Sequence, residues 1–103
     1  MSDDTLGAFE EQVLLCVVRT GDDAYGMAVR REIETATDRD VAIGAVYATL
    51  DRLEAKGLVR STRPGGGARR VFAVTRTGAR ALAETRRVRE RLWHGVDLAP
   101  LGA

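Results

Sequence analysis

Aromatic side chains are scarce, at 5% of 103 residues, with two Tyr, two Phe and one Trp. Because apolar residues still make up 45%, the composition is globular and the core is expected to be aliphatic. A single cysteine, Cys16, excludes an intramolecular disulfide, and its position in the apolar run 13–18 predicts a buried small hydrophobe. One histidine, His94, beside one cysteine leaves too few donors for a zinc site. With Cys16 buried and no carboxylates at a recognisable catalytic spacing, the chain also lacks a nucleophile with a base; neither catalysis nor a cofactor is expected. The run 13–18 is far shorter than the roughly 20 residues of a membrane span. The acidic opening Met1-Ser2-Asp3-Asp4 is unlike the basic start of a signal peptide. A cytoplasmic protein with no membrane partner is expected, and this length fits one compact unit.

Net charge is only +1, but its distribution is lopsided. Residues 1–59 hold six Lys/Arg against twelve Asp/Glu, whereas residues 60–91 hold ten Arg against two Glu. A strongly basic segment hidden in a nearly neutral chain is a cue for binding a polyanion.

Leu6, Phe9, Val13, Leu14, Val17 and Val18 recur at helical spacing, predicting a first helix over 6–19 that stops before Gly21. Asp22 and Asp23 offer an N-cap for a second helix over 24–36, with Tyr25, Ala28, Val29 and Ile33 on its inner face. Ile43, Val46, Leu50 and Leu53 define the stripe of a third helix closed by Gly57. Residues 58–63 and 69–74 read as two strands joined by the tip Pro64-Gly65-Gly66-Gly67-Ala68. Thr75 is the expected N-cap of a last helix over 76–94, whose stripe is Ala81, Thr85, Val88 and Leu92, flanked by Leu82 and Trp93. Residues 97–103, with Pro100 and Gly102, are expected to fray. The fold class is therefore mainly α with a small β-hairpin.

Three helices followed by a hairpin are the order of a winged helix-turn-helix, in which the third helix enters the major groove and the wing lies against the phosphate backbone. On the third helix, Ala45, Ala48, Thr49, Arg52 and Lys56 are expected to face outward. Ala and Thr methyls can touch a thymine methyl, and Arg52 can read a guanine. The plainer readings are that Ala is a good helix former and that Arg52 pairs with an acid. In the wing, Arg63, Arg69 and Arg70 flank Gly65, Gly66 and Gly67, whose amides can approach a phosphate; the alternative is a solvated hairpin. The tip lacks the Gly-Lys-Ser/Thr end of a P-loop, which excludes nucleotide hydrolysis by that device.

The stretch Gly44-Ala45-Val46-Tyr47-Ala48-Thr49-Leu50-Asp51-Arg52-Leu53-Glu54-Ala55-Lys56-Gly57-Leu58-Val59 resembles the central signature of the PadR-family transcriptional regulators. Tyr25-Gly26-Met27-Ala28-Val29, Arg69-Arg70-Val71-Phe72 and Thr75-Arg76-Thr77-Gly78 resemble further segments of that family, so the likeness runs over roughly 9–83. Arg76 replaces the family's usual proline, and Tyr25 stands where many members have histidine, so no role of that histidine carries over.

The resemblance implies a cytoplasmic bacterial repressor that binds double-stranded DNA at a palindromic operator as a homodimer. It implies the short subfamily: a DNA-binding unit over 1–75 and a single dimerisation helix with its tail over 76–103. Ala81, Leu82, Thr85, Val88, Leu92 and Trp93 are the expected interface. Tyr47 matches the signature tyrosine, which can pack its ring or place its hydroxyl near phosphate. Some short members bind flat aromatic compounds between helices at the dimer interface, and by that resemblance a small aromatic effector could stack on Trp93; the plainer role of Trp93 is to seal the interface. Nearby Arg86, Arg89 and His94 leave an anionic ligand open as well. The rival function is a winged helix used for protein association without DNA.

Overall fold

The computed structural model describes residues 6–103. Its elements run α1 (Ala8–Thr20), α2 (Gly26–Thr37), α3 (Ile43–Ala55), β1 (Val59–Thr62), β2 (Val71–Val74) and α4 (Arg76–Trp93). The strands form an antiparallel pair in which Val59 faces Val74 and Thr62 faces Val71. The chain is thus a winged helix, largely helical with one hairpin.

Local chemistry sets the ends of these elements. Glu10 accepts a 3.0 Å bond from the Gly7 amide, and Glu10 with Glu11 places negative charge at the positive end of α1. α3 ends as its sequence predicts, with Gly57 in the left-handed region at φ 76°. The Leu58 amide donates to Leu53 O and the Gly57 amide to Glu54 O, each at 2.9 Å, a Schellman closure. Thr75 caps α4 by accepting from Gly78 N at 3.0 Å while its hydroxyl donates to Gly57 O at 2.6 Å. One side chain thereby ties the start of α4 to the end of α3.

The second helix starts later than predicted, and Asp22 and Asp23 do not cap it. Gly21–Asp23 is a short 3-10 turn, and α2 begins only after Tyr25. The cause is a competing extended pairing: Phe72 N donates to Ala24 O at 2.8 Å and Tyr25 bridges Val71, so residues 24 and 25 serve as a rudimentary third strand of the wing. The tail also departs from expectation. Ala99–Leu101 closes a 3-10 turn, with Leu101 N bonded to Leu98 O at 2.9 Å.

The core is aliphatic apart from Phe72. Val13, Leu14, Val17, Val29, Ile33, Val46, Leu50, Leu53, Val59 and Phe72 are buried together, with Cys16 among them as predicted. Burial pushes the Cys16 thiol up from its ordinary pKa, which disfavours the reactive thiolate. α4 packs on α1, where Ala81 and Leu82 touch the core and, about two turns further on, Arg89 pairs with Glu11 at 2.9 Å. Beyond it the helix projects, and the molecule measures 56 × 34 × 20 Å. Among the described residues no helix is long and apolar enough to cross a membrane.

Candidate nucleic-acid interface

The surface of α3 is set by how the helix buries its stripe. Val46, Leu50 and Leu53 are fully buried, while Ile43 is only half-buried. Ala45, Ala48, Arg52 and Lys56 are exposed along one side. Thr49 is not with them: it is 2% exposed and packs with the core, which corrects the expectation that it faces a base. Its hydroxyl accepts from Arg52 Nη2 at 3.4 Å within the chain.

Tyr47 is 38% exposed, and its ring lies across Gly26 at the start of α2. A Cβ at Gly26 would stand 2.4 Å from Tyr47 Cζ, so the glycine is what lets the ring lie there. The tyrosine packs on α2 and still presents an edge to solvent.

The cations of α3 are held by one carboxylate, so Arg52 pairs with an acid as its plainer reading had it. Glu10 of α1, whose side chain is 13% exposed, takes Lys56 Nζ at 2.8 Å and Arg52 Nε at 3.6 Å. The Lys56 hydrogen bond, helped by the Gly7 amide, holds the Glu10 carboxyl below its ordinary pKa. Both cations keep about half of their own side chains exposed, at 49% and 56%. The signal for this contact was present only as an acid in the first turn of α1; which basic residue it meets depends on the tertiary fold.

Arg70 is placed differently from its expected role on phosphate. It bonds Asp51 at 3.0 Å and Glu54 at 2.8 Å, with its guanidinium 4.8 Å from the Phe72 ring centroid. Its side chain is only 25% exposed, so it fastens the wing to α3 instead of reaching outward. Glu54 is held further by the Ser61 hydroxyl at 2.6 Å and the Ser61 amide at 2.9 Å. These bonds, the Ser61 hydroxyl foremost, keep the Glu54 carboxyl below its ordinary pKa.

At the wing tip, Arg63 donates to Ala68 O across the turn. Gly65 and Gly66 take positive φ of 67° and 71°, conformations that favour glycine. The amides of Gly66 and Gly67 are already bonded to Arg63 O and Pro64 O at 2.9 and 3.3 Å, so those two are not free for a phosphate as expected. Arg69 is exposed and stacks on Tyr25, its guanidinium 3.9 Å from the ring centroid.

The residues expected at an interface between copies divide along α4. Thr85 is 4% exposed within its own chain, which removes it from that set; its hydroxyl finds no partner among the described residues. Ala81, Leu82 and Val88 are half-buried. Leu92 and Trp93 are 73% and 58% exposed, and Leu15 and Val18 of α1 are exposed too. A groove of about 450 Å³ between the two helices is lined by Glu11, Leu15, Leu82, Ala83, Arg86, Arg87 and Arg89.

Known proteins resemble this chain over most of that architecture. A family model described as the transcriptional regulator PadR-like family matches residues 14–84. The transcriptional regulator Rv3488 of Mycobacterium tuberculosis is 48% identical over 54 residues, 50% of this chain and 50% of that protein. The chain therefore matches about half the length of that curated relative. The RosR structure from H. salinarum superposes with a TM-score of 0.74 at 26% identity, covering 89% of this chain and 81% of RosR. A PadR-family regulator from Eggerthella lenta gives 0.66 at 27% identity, covering 81% and 75%. F93 from STIV, a winged-helix DNA-binding protein, shares the fold with a TM-score of 0.68 at 22% identity over 80% of this chain and 87% of F93. By its matched residues and its winged-helix fold, this chain belongs to the PadR-like family of transcriptional regulators.

Proposed function

We propose that the chain binds double-stranded DNA as a homodimer and represses transcription from a palindromic operator in the cytoplasm. The observation that carries this reading is the exposed side of α3. Ala45 and Ala48 leave its first turns low enough to approach base edges, Arg52 and Lys56 follow on the same surface, and the wing stands beside it. Residues up to 75 engage DNA, and residues 76–103 join the two copies. Tyr47, Arg63 and Arg69 border the groove-reading surface, with Gly65 at the tip. Arg70 supports the wing from within.

The dimer is favoured by the unpartnered apolar surface at the far end of α4. Leu92, Trp93 and Val96 are exposed there, and Leu15 and Val18 are exposed on α1, side chains a two-fold related copy would cover. Ala81, Leu82 and Val88 border the same surface. An effector reading rests on Trp93 alone: an exposed aromatic near a two-fold axis would stack a flat aromatic ligand against its mate. Tryptophan fluorescence titrated with planar compounds tests it, and an unchanged signal with unchanged DNA binding leaves Trp93 as a seal.

Fluorescence anisotropy with a random duplex tests the DNA reading. Binding at low salt that falls by orders of magnitude between about 50 and about 200 mM salt is expected for a protein that neutralises several phosphates. No binding at low salt would favour a winged helix used for protein association.

A further inference from the structure

Two guanidinium groups share one aromatic ring where α2 meets the wing. Arg69 stands 3.9 Å from the Tyr25 centroid and Arg31 stands 5.6 Å from it, with Arg31 Nη2 donating to the Tyr25 hydroxyl at 2.7 Å. Arg31 comes from the acidic half of the sequence, and nothing in its local pattern singles it out. Among the described residues neither arginine forms an ion pair, whereas Arg19, Arg30, Arg52, Arg70, Arg86, Arg87 and Arg89 all do. Two like charges gathered on one ring repel each other. The negative face of the ring offsets part of that repulsion, and an anion would offset the rest.

The backbone that carries the ring is fixed in place. Tyr25 bridges Val71 through its backbone, and its neighbour Gly26 carries the Tyr47 ring of α3. The pair of cations therefore sits beside the N-terminal part of the helix proposed to read bases. A guanidinium stacked on a ring keeps its N–H donors in the plane, directed at the rim, where they suit a phosphate.

We infer that Arg31 and Arg69, arrayed on Tyr25, clamp the DNA phosphate backbone beside the bases read by α3. The clamp rests on the DNA-binding reading above and adds to it Arg31 and a positioning role for Tyr25. Arg31 and Arg69 touch the phosphates; Tyr25 aims them.

The test is the salt dependence of duplex binding by the full chain, measured by anisotropy for Arg31→Ala, Arg69→Ala, Tyr25→Leu and Tyr25→Phe. Each arginine variant is expected to lower the slope of log affinity against log salt by about 0.9 for every phosphate that the dimer no longer neutralises. Tyr25→Leu, which keeps both charges, should weaken binding, and Arg69→Ala should cost less in that background than in the wild type. Tyr25→Phe keeps the ring and guards against a folding defect. It should weaken binding only while Arg31 is present, because it removes only the bond to that arginine. If the wild type binds duplex with a steep slope and Arg31→Ala leaves slope and affinity unchanged, the clamp is overturned while DNA binding stands. If the wild type binds no duplex at low salt, both fall.

Discussion

At Gly78 the absence of a side chain decides the packing between wing and last helix. A Cβ there would stand 2.1 Å from the Leu58 carbonyl oxygen and 2.9 Å from Val74 Cγ1, and a backbone oxygen that already accepts from Thr75 N at 3.0 Å cannot step aside. In an exposed helix interior, Gly→Ala gains up to about 1 kcal/mol. Gly78→Ala is expected to do the opposite and cost about 1–3 kcal/mol as overpacking, read as a lower denaturant midpoint with unchanged slope. A raised midpoint would show that the junction gives way. The need for glycine here was visible in the sequence only through the family likeness of Thr75-Arg76-Thr77-Gly78; its physical reason is a contact made by a residue twenty positions earlier. Thr49 shows the converse. Helical spacing set it among the outward-facing residues, and its burial depended on how widely α3 is wrapped by its neighbours.

Among the elements, α3, the hairpin and α4 were legible because each carries its own signal: an aliphatic stripe closed by Gly57, two short runs around three glycines, and Thr75 before a long pattern. The start of α2 was not, because a two-residue extended segment paired to β2 has no alternation to read. The wing's attachment was equally hidden, since Arg70 reads as one more basic residue until Asp51 and Glu54 come beside it. That attachment has a pH signature. The Glu54 carboxyl is held below its ordinary pKa, first by the Ser61 hydroxyl, so as pH falls the unfolded chain takes up this proton before the folded one does. The stability Glu54 adds is complete above about pH 4.3, the ordinary glutamate value, and is lost as pH falls through the lower folded value. Glu54→Gln should be less stable at neutral pH yet lose less stability across that acidic window, measured by denaturant midpoints at a series of pH values. Parallel losses in both proteins would show that this carboxylate does not link the wing to pH. The shift is modest in energy because the side chain is 36% exposed.

At the scale of the whole molecule, the hairpin and three helices bury their own core, while the far end of α4 does not. The amphipathic pattern of that helix was plain in the sequence. What it could not tell apart was the part buried within the same chain, including Thr85, from the part left for another copy. Leu92, at 73% exposed, is the clearest member of the second group. Leu92→Asp is expected to convert a dimer into a monomer in sedimentation at micromolar concentration without loss of helix content, because the side chain touches little of its own chain. A wild type that is already monomeric would remove the interface. The most direct measurement of the central claim is selection of bound sequences from a pool of random duplexes at moderate salt. A homodimer presenting two α3 helices predicts enrichment of a palindrome whose half-site centres lie about one helical turn, roughly 10 base pairs, apart. Enrichment of a single unrepeated site, or none while the protein still shifts duplex, would contradict it.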